Sequence, residues 1–205
     1  MNHWIGCKAI YFKKNGDIDR KKECDRFLEE HLDPERYRIV HASMYCNVYY
    51  VAVAETKRMI SENGIDQYQA IPEEQQDVSA IIIATKTESK ELIFMNCEKE
   101  SDTPICIDCP NSILRLLTDT EDKNALKWRE LCHKNLKDKR KLLRLDGLPE
   151  GTKIQFPSML TFTNGVSKGD LITLQKVNRK WVWNGYRFMK RYINPDYKIL
   201  QKEEK

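Results

Sequence analysis

Cys106 and Cys109 form a C-x-x-C pair, a spacing at which two thiolates can grip one metal ion or cycle as a redox couple. Zinc needs two further ligands, and Cys132 and His133 lie 23 and 24 residues beyond Cys109. Adjacent residues on a helix point about 100° apart and chelate poorly together. No metal or cofactor is therefore expected, and Cys106, Cys109, Cys132 and His133 remain as the alternative ligand set. A redox role wants the motif to open a helix after a strand; Pro110 permits a helix start, but no βαβ pattern surrounds it. A thiol nucleophile needs a histidine base, and only His3, His31, His41 and His133 exist. His31 sits at the polar edge of an amphipathic pattern, where a packed surface histidine is expected. Asp17, Asp19, Glu23 and Asp25 could suggest metal-dependent nuclease chemistry, yet they also fit the first turn of a helix, where acids favour the positive end of the dipole. No glycine-rich phosphate loop of either common type is present.

The stronger signal is basic. Residues 1–122 carry 15 Lys/Arg against 23 Asp/Glu, net −8, whereas residues 123–205 carry 20 against 8, net +12. A single-sign field of this kind draws in a polyanion, unless the two halves simply offset each other. Lys127 to Arg144 holds eight cations against Glu130 and Asp138, with Lys137, Lys139, Arg140, Lys141 and Arg144 clustered at its end. Further on, Arg179-Lys180-Trp181-Val182-Trp183 and Tyr186-Arg187-Phe188-Met189-Lys190-Arg191-Tyr192 interleave cations with aromatics. Cations for phosphates and aromatic faces for bases together make a nucleic-acid surface. The same aromatics equally suit the core of a small β module. The expected contacts are Lys137, Lys139, Arg140, Lys141, Arg144, Arg179, Lys180, Arg187, Lys190 and Arg191.

The elements that must carry these residues read as α+β. A first strand is expected over Trp4 to Phe12, then a helix capped by Asp19 with Cys24, Phe27, Leu28, His31 and Leu32 at helical spacing. Tyr37 to Met44 and Asn47 to Glu55 predict one hairpin, and Val78 to Thr85 with Glu91 to Cys97 a second across Lys86 to Lys90. Glu55 to Gln76 predicts a short helix and a polar, mobile connection. Thr118-Asp119-Thr120-Glu121 resembles a capping box opening a long basic helix to about Leu145. Short strands follow around Lys153 to Phe156, Leu171 to Val177 and Lys180 to Phe188, the last bent at Asn184-Gly185. The expected organisation is an acidic α+β domain over residues 1–117 built on an N-terminal sheet with flanking helices, a long basic helix over 118–147, and a small SH3-like or OB-like β module over 148–205. With 40% apolar and 32% charged residues the chain has enough core to fold without staples. No apolar run approaches the roughly 20 residues that span a bilayer, and Met1 to Phe12 lacks the layout of a secretory signal. The expectation is a cytoplasmic protein with seven reduced cysteines and no membrane partner.

Several strings in order along the chain carry a resemblance: Trp4-Ile5-Gly6, Lys14 to Asp25, Tyr49 to Val53, Asp108-Cys109-Pro110-Asn111-Ser112-Ile113-Leu114, Trp128 to Cys132 and Leu148 to Thr152. Together they resemble an uncharacterised family carried by phages, plasmids and integrative elements of Firmicutes and gut bacteria. The opening Asn2-His3-Trp4-Ile5 departs from the Met-Gly-Trp start of that family. The resemblance implies cargo that counters host defence, with type II anti-CRISPR inhibitors among the relatives, and it carries over no catalytic residue. Two functions follow as expectations. One is a non-enzymatic inhibitor that binds nucleic acid, or a ribonucleoprotein such as a Cas9–guide RNA complex, through the basic half. The alternative is a cysteine-based zinc-binding protein or thiol enzyme.

Overall fold

The computed structural model describes residues 7–85, 91–99 and 106–200. The start of the expected first strand and the turn between the second pair of strands lie outside the described residues. The chain divides into two compact units, Met1–Lys134 and Asn135–Lys205, and the long helix is shared between them.

The first unit is an antiparallel sheet of β1 (Cys7–Lys8), β2 (Tyr37–Tyr45), β3 (Val48–Glu55), β6 (Val78–Thr85) and β7 (Glu91–Cys97), in the order β1-β7-β6-β3-β2. Helix α1 (Arg20–His31) places Cys24, Phe27 and Leu28 against Tyr49, Val51, Val53, Ile81 and Ile83 on one face. β3 is buried on both faces, which explains its unbroken apolar run. Its other face carries Tyr50, Ala52 and Ala54, with α2 (Asn111–Leu114) packed against β2 and β3. Cys46 and Asn47 both take left-handed φ, of 48° and 65°, to close the β2–β3 hairpin, the two-residue turn that matches strand twist.

Three expectations need correction. The first strand ends at Lys8, because the N–H groups of Ile10 and Tyr11 donate to the carboxylate of Glu23 instead of to a strand ladder. Residues 57–70 form no helix; β4 (Lys57–Glu62) and β5 (Ile65–Ala70) pair as a solvent-exposed hairpin, bent where Asn63 (φ 54°) and Gly64 (φ 78°) supply the two left-handed positions. Only Glu73–Gln75 makes a single 3-10 turn there. The long helix α3 (Lys123–Arg144) is opened by Asp122, whose Oδ1 accepts the N–H of Asn124 at 3.0 Å and of Ala125 at 2.9 Å. Thr118 is engaged elsewhere, its hydroxyl oxygen accepting the Val78 N–H at 3.0 Å.

Buried charge in this unit is fully engaged. Glu98 accepts Arg129 Nη2 at 2.7 Å and the Ala80 N–H at 3.1 Å on one oxygen, and Arg129 Nε at 2.8 Å on the other. Glu23, wholly buried, holds Arg26 at 2.9 Å besides the two backbone N–H groups. Burial pushes the Glu23 carboxyl up, but the Tyr11 and Ile10 N–H groups and the Arg26 guanidinium outweigh it and hold it below the usual carboxylate range.

The second unit contains the end of α3, a 3-10 turn at Leu145–Gly147, and five strands: β8 (Lys153–Pro157), β9 (Leu171–Val177), β10 (Lys180–Trp183), β11 (Tyr186–Phe188) and β12 (Lys198–Leu200). Their order is β11-β10-β9-β8-β12. Four strands meander, a 3-10 turn at Lys190–Tyr192 follows, and β12 returns to pair with β8. This connectivity is SH3-like rather than the Greek key of an OB module. Asn184 (φ 47°) and Gly185 (φ 83°) close the β10–β11 hairpin as the sequence predicts. The core gathers Leu145, Ile154, Phe156, Ile172, Leu174, Trp181 and Ile193. β9 alternates strictly, and its third inward position is Lys176, only 6% exposed. Lys176 Nζ donates to the carbonyls of Leu145 at 3.3 Å, Asp146 at 2.8 Å and Leu148 at 2.6 Å. No helix among the described residues is long and apolar enough to cross a membrane.

Two outcomes follow. Lys176→Met removes a donor from three carbonyls, of which only Leu145 keeps a backbone N–H, that of Leu148 at 3.4 Å, and lowers stability by about 1–3 kcal/mol, read as a fall in the urea midpoint of the full chain; an unchanged midpoint refutes the capping role. Because Glu23 is held below the ordinary range, its stabilisation is present above pH about 4.3 and fades as pH drops through its lower folded value. Glu23→Gln is therefore destabilising at pH 7, and the gap to wild type narrows in acid, measured by denaturation from neutral pH down into acid.

Candidate nucleic-acid interface

Half of the predicted cations meet in one place. Asn178 (φ 50°) and Arg179 (φ 62°) form the two-residue turn between β9 and β10, and Glu150 Oε1 accepts the Arg179 N–H at 2.7 Å. Lys180 starts β10, and Arg187 lies on β11 opposite Val182. Lys190 and Arg191 sit in the following 3-10 turn. Arg179, Lys180, Arg187, Lys190 and Arg191 together line an open cleft of about 430 Å³ on the second unit. Asp146 is the carboxylate in its wall, and Lys190 Nζ meets Asp146 Oδ2 at 2.7 Å. The Arg191 guanidinium lies 4.8 Å from the centroid of the Tyr192 ring. Arg179, Lys180, Arg187 and Arg191 make no salt bridge among the described residues, so four cationic side chains border a space containing one already paired acid.

The helix cations are placed differently. Lys141 Nζ pairs with Asp196 at 3.1 Å, and the Lys141 carbonyl accepts the Tyr197 hydroxyl at 3.0 Å. Lys137, Arg140 and Arg144 are exposed and Lys139 is half-buried. None of these five lines the cleft.

Three of the interleaved aromatics, Trp181, Trp183 and Phe188, belong to the core or pack against it, whereas Tyr186 is 79% exposed. Trp181 is 5% exposed, and Trp183 and Phe188 pack against the same cluster, Trp183 lying 4.7 Å from Phe162 between ring centroids. Inward alternation on β10 and β11 takes these rings, as Trp181 pairs with Phe188 in register and shares its face. The cleft therefore offers charge to phosphates and no stacking platform of tryptophan. Sequence reasoning did not single out Asp146, Glu150 or Lys176. The inward position of Lys176 was present in the alternation of Ile172, Leu174 and Lys176.

The cysteines named as the alternative ligand set differ in exposure. Cys109 and Cys132 are fully buried, and Cys106 is half-buried with its carbonyl accepting the Tyr50 hydroxyl at 3.0 Å. Burial pushes all three thiols up, Cys132 to about 12, and neighbouring acids and thiols add to this. A raised thiol is a weaker nucleophile, since the thiolate is the attacking form. His133, beside Cys132 in sequence, is exposed to solvent. Among the described residues no three His, Cys, Asp or Glu side chains are grouped to hold a metal. His31 stacks on Phe27 at 4.2 Å and reaches the Phe27 carbonyl at 3.0 Å through Nδ1, a structural placement.

Residues 119–190 match the model of a family described as a domain of unknown function, DUF6927. That span is about a third of the chain, from the approach to α3 through Lys190, and so contains four of the five cleft cations. No curated protein matches the sequence.

The thiol electrostatics are checked by alkylation of the native protein at mildly alkaline pH with mass mapping. Exposed Cys46 is expected to react first, while Cys109 and Cys132 stay unmodified until denaturant is added. Rapid native labelling of Cys109 or Cys132 would restore the thiol reading.

Proposed function

We propose that the protein is a non-enzymatic, mobile-element-encoded anti-defence factor acting in the cytoplasm of a bacterial host. It binds nucleic acid, free or within a ribonucleoprotein such as a Cas nuclease–guide RNA complex, through its basic C-terminal half. The observation that carries the binding is the convergence of Arg179, Lys180, Arg187, Lys190 and Arg191 on one cleft. Arginine presents a planar fork of donors that matches phosphate oxygens, and lysine adds point charge. Recognition through phosphates fixes a strand in place without reading its bases, so sequence preference is slight. Exposed Lys137, Arg140 and Arg144 extend the positive surface of the same unit. The anti-defence role rests on the family resemblance of the strings from Trp4 to Thr152 and on the polyanionic partner that such a role demands.

The test is binding of a labelled RNA and DNA panel across salt concentrations. Affinity falls by about 0.9 log unit per log unit of salt for each duplex phosphate contact. The variant Arg179→Glu/Arg187→Glu/Arg191→Glu is expected to lose binding at least tenfold with a shallower salt slope and an unchanged urea midpoint. Neutralising Lys139, Arg140 and Lys141 measures the contribution of the helix separately. If the folded wild type captures neither DNA, RNA nor a guide-loaded nuclease at low salt, the reading is wrong.

A further inference from the structure

The charge density of the cleft is higher than an ordinary nucleic-acid strand requires. An open cleft of about 430 Å³ is roughly 7–9 Å across, and five cations border it. Successive phosphates of a duplex strand rise about 3.4 Å along the axis with one charge each, and the strand curves away, so such a space meets about two of them. Four uncompensated cations would then face about two charges. Three of the four are arginines, suited to hold several oxygens at once. Nor is the positive field diluted from behind. Lys176, with its ammonium buried on the carbonyls of Leu145, Asp146 and Leu148, offsets the negative end of the helix at this wall. Asp146 is drawn to Lys190, leaving Arg179, Lys180, Arg187 and Arg191 for a bound anion.

The anion that balances this site carries its charges on phosphates linked directly to one another. A terminal phosphate gains a second ionisation near pH 6, which an internal phosphodiester lacks, so a triphosphate concentrates about four charges in one compact group. We infer that the cleft is a polyphosphate site, taking the triphosphate of an RNA 5′ end or of a free nucleoside triphosphate. Trp181, buried, and Phe188, half-buried, pack into the core beneath the cleft, consistent with recognition of the phosphates and indifference to the base. The polyphosphate site rests on the nucleic-acid reading and narrows it to one end of the strand.

The experiment compares two RNA oligonucleotides of one sequence, bearing 5′-triphosphate or 5′-hydroxyl, together with GTP, ATP and inorganic tripolyphosphate, on the full chain by fluorescence anisotropy and calorimetry. The 5′-triphosphate RNA is expected to bind at least tenfold more tightly than its 5′-hydroxyl twin, with tripolyphosphate competing far better than monophosphate at equal ionic strength. Arg187→Gln and Arg191→Gln are expected to keep the wild-type urea midpoint and each to shrink that preference. GTP and ATP binding as tightly as the RNA end assigns the site to free nucleotides, and much weaker binding assigns it to RNA ends; both support a polyphosphate site. Equal, salt-dependent binding of the two RNAs, with tripolyphosphate no better than monophosphate, overturns the polyphosphate site while the nucleic-acid reading stands. Tripolyphosphate binding without capture of either RNA overturns the nucleic-acid reading and leaves the polyphosphate site.

Discussion

A buried ammonium governs the second unit. Lys176 is 6% exposed and meets no carboxylate among the described residues; its three protons go to the carbonyls of Leu145, Asp146 and Leu148. Taking a charge out of water is expensive, so the chain around it is held to the one arrangement that returns three hydrogen bonds. Those carbonyls belong to the turn that ends α3, where backbone oxygens lack intrahelical donors and the dipole is negative. One side chain thereby satisfies the helix end, closes the top of the β module, and fixes Asp146 in the wall of the basic cleft.

The first unit follows the same logic with the signs exchanged. Glu98 and Glu23 are buried carboxylates, each satisfied by an arginine and by backbone N–H groups. Glu98 ties α3 through Arg129 to the β6 backbone at Ala80, and Glu23 ends the first strand by capturing Ile10 and Tyr11. Such pairs add little net stability against hydrophobic replacements, but breaking one partner is costly, and that asymmetry confers uniqueness on how the connections run. These buried charges are committed to the fold. In the second unit, four cations of the cleft pair with no acid among the described residues.

What the cleft can do follows from which of its parts face solvent. The cations come from turns, from the start of β10 and from the edge strand β11, while Phe188 and Trp183 between them pack onto Phe156 and Phe162 and Tyr186 stays exposed. The cleft therefore presents cations to solvent, and near Tyr50 the thiols of Cys109 and Cys132 are buried while that of Cys106 is half-buried, burial pushing all three up.

Local signals in the sequence were enough for most elements. Asp19 before the α1 pattern, the Val-Ile-Tyr runs of β2, β3 and β6, and Asn184-Gly185 between aromatic flanks each act within a few residues, so composition and spacing declared them. The clustering of cations after residue 123 was equally plain. The β4–β5 hairpin was missed although Asn63-Gly64 marked it, because its strands are polar and solvent-exposed and lack the alternation that burial imposes. Thr118 looked like a cap and Asp122 became one, since a β6 backbone N–H distant in sequence claimed the Thr118 hydroxyl. Which cations would converge was decided only by tertiary structure. Arg179 and Arg191 are joined by a left-handed turn, a register and a 3-10 turn acting together, and Lys141 is withdrawn by Asp196, 55 residues away. A sequence states the charge each residue carries; where that charge points depends on strand pairing and on the few buried groups, Lys176 above all, that permit a single way of closing the fold.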